Sequence, residues 1–272
     1  MRKLPVIDAM SHAISSTKDN LAFAFNISWP WILALLPLNV MFNLYLVSKG
    51  IPAGQRLDTT ATIISLVMGI FNILAYSSIA VNWHRYVLKD EVPVGMQRLR
   101  LDNLTLRYFF NVIGIIVIIA VMAGLLAIPI SIFLIGMGVS VVGSGNELHG
   151  GAAILVTALI LPLIAFVFVS FYRLSVKLPA IALDRRDFGF RDAWGATKSN
   201  FWNFLGLALC FVLCSLAVLF AMLAATYIFK NFGVLGLSIS LAIQVMVNWL
   251  TTIFGVTILT SLYGYFVEDR DF

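Results

Sequence analysis

Few residues in this chain carry chemistry, and their spacing argues against most reactions. Cys210 and Cys214 lie one helical turn apart inside an apolar run. A continuous helix holds such a pair outside disulfide geometry, and the run supplies no further Cys or His to complete a metal site. Both read as small packing residues. His12 and His84 stand alone, and His149 has only Glu147 beside it in GSGNELHGG, which reads as a hairpin loop. There is no HExxH zinc motif and no GxxxxGK(S/T) phosphate loop. Ser238 and Ser240 have no histidine in any apolar run to act as their base. The chain is therefore expected to be non-enzymatic, with no metal and no cofactor.

Two other sets of residues have spacing that means something. Asn39 and Asn43, then Ser65, Gly69, Asn72 and Tyr76, then Gln244, Asn248, Thr251 and Gly255 recur at helical intervals in three apolar runs. Amides are costly in hydrocarbon when unpaired, so these stripes either bond across helices or line a wet cavity. The second set is cationic. WHRYVLK and FYRLSVK each place an Arg and a Lys four residues apart, Arg85 with Lys89 and Arg173 with Lys177, ahead of Pro93 and Pro179. On a helix the two share a face and can snorkel toward headgroups. With Arg185, Arg186, Arg191 and Lys198 they form the expected contact with anionic lipid.

These residues must be positioned by membrane helices. Of 272 residues 61% are hydrophobic and only 11% charged, and the mean hydropathy is +0.97, which excludes a soluble globule. Six apolar runs are long enough to cross a bilayer as helices, near 28–48, 61–83, 109–139, 152–172, 203–229 and 235–266. The third and sixth exceed what one crossing needs, so tilt, a kink at Pro129 or an interfacial extension is expected. The runs are apolar on every face, unlike the alternating segments of a β-barrel. The first begins too late for a signal peptide, and Met1 to Phe272 is expected to be the mature chain. The fold class is thus all-α integral membrane, a single polytopic domain of six transmembrane helices with amphipathic interfacial helices.

Charge sets the orientation. All thirteen acidic and eighteen basic residues lie outside the cores of the six runs, which argues against an ion-coupled pump. Arg2, Lys3, Lys18, the 85–107 and 173–198 connectors and Arg270 put fifteen of the cations on one side; Lys49, Arg56 and Lys230 occupy the other. The positive-inside rule then places both termini in the cytoplasm. Anionic lipid accounts for the pI near 9.3, and no nucleic-acid partner is expected. Five of the six tryptophans fall near span boundaries, as an aromatic belt would have them; Trp249 alone lies deep.

Residues 6–20, VIDAMSHAISSTKDN, set Ile7, Met10, Ile14, Thr17 and Leu21 on one helical face, the pattern of a helix in the interface plane. Part of this pattern returns in RDAWGATKSN at 191–200. With the two Arg/Lys pairs it suggests three units of interfacial helix plus hairpin, 1–83, 84–176 and 177–272. In the fifth run Cys210, Cys214, Ala217, Ala221 and Ala224 form a small-residue stripe that a neighbouring helix is expected to approach.

The segment from Leu178 to Gly206 resembles bacterial six-span proteins similar to the YciC family and to the membrane domain that precedes some glycerophosphodiester phosphodiesterases. The likeness rests on Leu178, Pro179, Ala180, Asp184, Ala193, Trp194, Thr197, Asn200 and Trp202. It implies a bacterial inner-membrane location; the phosphodiesterase domain itself is not within these residues, so no activity transfers. The expectation is a non-enzymatic inner-membrane protein that interacts with lipid headgroups on the cytoplasmic side and with a protein partner or a second copy. The alternative is a small permease or channel for a neutral or lipidic solute.

Overall fold

The computed structural model describes residues 2–51, 57–137, 150–229 and 232–272. Apolar sequence in a membrane leaves the backbone only itself to bond with, so helices form. Among the described residues six are long and apolar enough to cross a membrane: α2 (Leu21–Ser48), α3 (Thr59–Lys89), α4 (Asn103–Gly136), α5 (Gly150–Ser175), α8 (Phe201–Phe229) and α9 (Gly233–Val267). Three short helices accompany them, α1 (Val6–Asp19), α6 (Lys177–Ala182) and α7 (Phe190–Ala196), with a 3-10 turn at Gly95–Leu99. The protein is a multi-pass α-helical membrane protein.

Helix boundaries follow local chemistry. The Asp58 carboxylate accepts from the Ala61 amide at 2.6 Å to open α3, and Asp102 accepts from the Thr105 amide at 2.9 Å to open α4, each satisfying an orphan donor of the first turn. Asp90 (φ 55°) ends α3 and Asp184 (φ 59°) follows α6, both left-handed, the conformation Asp tolerates better than most side chains. The long α4 is one helix running through Pro129; its surplus length lies at its start, where Tyr108 and Thr105 are buried.

Packing is concentrated at the end of the bundle that carries the termini. One cluster joins Leu4 and the Ala9, Met10 and Ala13 face of α1 to the last turns of α3, α5 and α9, the first turns of α4 and α8, and all of α6. A smaller one gathers Ala24, Ile27, Trp31, Ala75, Ile79, Trp83 and Ile253. His84 is buried between them, with Nδ1 2.8 Å from the Thr260 hydroxyl and Nε2 3.2 Å from the Tyr108 hydroxyl, tying α3 to α9 and α4. The opposite halves of the helices stand largely bare: Val47, Ile63, Leu125 and Ile132 are all exposed.

Two expectations gain detail here and one is corrected. On α1 it is Ala9, Met10, Ala13 and Thr17 that face the protein, against α9 and α8, while Ile7 and Ile14 are exposed; small side chains permit the close approach that isoleucine would block. No helix among the described residues covers the stripe on α8, since Cys214, Ala217, Ala221 and Ala224 are exposed. Trp83 and Trp31 are core residues rather than belt anchors, being fully and nearly fully buried, and the Trp31 indole donates to Ser78 Oγ at 3.0 Å. Trp29 and Trp202 are the exposed ones.

Candidate functional site

The amide stripes of α2, α3 and α9 converge. Asn39 and Asn43 of α2, Asn72 and Tyr76 of α3, and Gln244 and Asn248 of α9 line one crevice of about 680 Å³, a volume in the range of small-molecule sites. Ser65, Gly69, Thr251 and Gly255, on the same helical rows, do not line it.

The crevice exists because α3 packs on both α2 and α9 while those two touch each other little; Phe25 meets Trp249 edge-on at 6.0 Å. Beyond that contact α2 and α9 diverge, leaving α3 as the back wall. At the terminus end the crevice stops on Trp31, Ala75 and Ile79, which also belong to the smaller core cluster. The Trp31–Ser78 hydrogen bond fixes that floor.

Its polar groups do not bond to one another. Asn39 Nδ2 donates to the Leu35 carbonyl at 2.8 Å, Asn43 Nδ2 to the Asn39 carbonyl at 2.8 Å, and Asn72 Nδ2 to the Met68 carbonyl at 2.9 Å. Each bond stays within its own helix, so none is the cross-helix glue that amide stripes often supply. A backbone carbonyl can only accept, so the amide nitrogen must face it and the side-chain oxygen faces away. No described residue hydrogen-bonds those three oxygens or the side chains of Gln244 and Asn248. Apart from the Thr252 hydroxyl and the indoles of Trp31 and Trp249 the rest of the lining is apolar, and no charged residue is among it. Trp31, Trp249 and Thr252 complete the wall; sequence reasoning missed their part in it, Trp31 because an aromatic residue near a boundary reads as an anchor.

The expected headgroup cations are placed differently. Arg85 donates to the Ala182 carbonyl at 3.0 Å and to Glu91, and Lys89 to the Leu183 carbonyl at 3.2 Å. Arg173 donates to the Trp194 carbonyl at 2.8 Å and to Thr197, with its guanidinium 3.7 Å over the Trp194 ring. Lys177 sits 3.7 Å over the Phe190 ring. Arg185 donates to Tyr263 and Asp187. The two Arg/Lys pairs thus share one use. They hold the connector 177–200: Arg85, Lys89 and Arg173 donate to carbonyls at the ends of α6 and α7, where helix polarity favours cations, and Lys177 packs on Phe190.

Arg186 is mostly exposed, 3.7 Å from Asp184. Arg191 and Lys198 are exposed and unpaired among the described residues. Arg56, Lys230, Glu147 and His149 lie outside the described residues. The connector is held from further sides by Arg107 with Asp184 and by Asn200, which accepts from the Leu4 amide at 2.9 Å and donates to the Arg2 carbonyl at 3.0 Å.

The fold and crevice together define a polytopic helical membrane protein clamped at one end and open at the other. The chain belongs to the family described as Domain of unknown function (DUF7847), whose model matches residues 8–267. No curated protein and no solved structure matches it.

Proposed function

We propose that this is a non-enzymatic, lipid-interacting protein of the bacterial inner membrane, whose crevice between α2, α3 and α9 takes an amphiphile directly from the bilayer. The convergence of six polar side chains from three helices on one crevice, none bonded to another helix, carries the reading. Apolar walls suit acyl chains, and unpaired amides in hydrocarbon are tolerated where they meet water or a ligand. The positive-inside distribution supports cytoplasmic termini, so the closed floor faces the cytoplasmic leaflet and the open part lies in the outer one.

The order of short helix and hairpin, met three times along the chain, supports the three-unit reading with α1, the 95–99 turn and α6–α7 as interfacial pieces. The likeness of the 178–206 segment to YciC-type proteins supports the location. Exposed Arg186, Arg191 and Lys198 are left to meet anionic headgroups, each contributing about 1 kcal/mol near such a surface. The bare α8 stripe suits a second copy or another membrane helix.

A permease is the second reading, favoured by the amide lining, but solute would have to pass the Trp31–Ser78 floor. Liposome flux separates the two. The lipid-binding reading expects no solute passage, and co-purified lipid that falls severalfold in Asn72→Leu and Gln244→Leu. Passage abolished by those same substitutions would favour the permease.

A further inference from the structure

We infer that the crevice selects lipids whose head is uncharged and bonds through hydroxyls, such as diacylglycerol, over charged phospholipids. This deepens the lipid-binding reading and rests on it. The selectivity follows from what the lining lacks and what it holds instead. None of its residues is ionisable near neutral pH, so a phosphate entering it would be desolvated with no Lys or Arg to pair with, a penalty that excludes it.

What the crevice offers instead is neutral hydrogen-bonding groups, amide oxygens together with amide, phenol and indole donors. The amide nitrogens of Asn39, Asn43 and Asn72 are turned onto carbonyls of their own helices, which leaves three side-chain oxygens without a donor among the described residues. A hydroxyl satisfies such an oxygen with one neutral hydrogen bond and needs no counter-charge. Apolar Leu36, Val40 and Val245 flank these amides, so tails can stay in hydrocarbon beside a head held by the amides.

The test uses the full chain reconstituted in vesicles of phosphatidylethanolamine and phosphatidylglycerol carrying a minor fraction of dioleoylglycerol, followed by native mass spectrometry of the released protein. Dioleoylglycerol is expected to be bound well above its share of the vesicle. Asn72→Leu should reduce that enrichment by about tenfold, the effect of losing one or two hydrogen bonds. Val40→Trp fills the crevice from an exposed position and should abolish it while leaving the melting temperature in detergent unchanged.

If phosphatidylglycerol or phosphatidylethanolamine is retained as strongly and is displaced by Val40→Trp, the head selectivity is wrong while the crevice still binds lipid. If no lipid responds to Val40→Trp, the lipid-binding reading itself fails.

Discussion

At the scale of single residues, the cations of this protein do two jobs that sequence does not separate. Arg173 stacks on Trp194 and donates to its carbonyl, so Arg173→Ala should cost about 2–3 kcal/mol, read as a lower melting temperature in detergent. Arg173→Lys should recover little of it, because an ammonium lacks the planar fork that serves both contacts. Arg191→Ala, at an unpaired position, should leave melting unchanged. Glu91 gives a pH signature. The Arg85 guanidinium donating to it holds its carboxyl below the ordinary value of 4.5. A carboxyl whose value is lowered on folding stabilises the fold above that ordinary value and loses the contribution as pH falls through the lowered one. Asp184, lowered by Arg107 in the same way, acts in the same sense on the same connector. Hydrogen exchange at 182–187, corrected for intrinsic rates, should therefore accelerate as pH falls below about 4.5. Glu91→Gln should flatten part of that acid response.

At the scale of elements, much was legible and the remainder failed for identifiable reasons. The six spans follow from uninterrupted hydropathy, which tertiary context does not override. Their inner ends did not: α2 starts at Leu21 and α3 runs to Lys89, because polar and charged residues there are absorbed by protein contacts rather than by headgroups. The amide stripes were legible as rows, and six residues of those rows meet in the crevice. That they would avoid one another was not, since Asn39, Asn43 and Asn72 each have a carbonyl of their own helix within reach and need no partner across the bundle. Which side of α1 meets the protein was not legible, because α9 packs close enough there to favour Ala9, Ala13 and Thr17. The use of Arg85 and Lys89 was hidden because which carbonyls lack donors depends on where α6 ends.

At the scale of the whole molecule, sidedness is the claim most open to a direct check. In a background with Cys210 and Cys214 replaced by serine, Lys49→Cys and Lys198→Cys should be labelled by an impermeant thiol reagent from opposite faces of the membrane, Lys198→Cys only from the cytoplasmic one. Labelling of both from one face would overturn the topology. The uneven distribution of packing has a mechanical side. Three hairpins packed together at one end and bare at the other have their thinnest support between α2 and α9, so a change of lateral pressure around the bare end is expected to alter that gap, whereas the same change around the packed end meets a body that yields less.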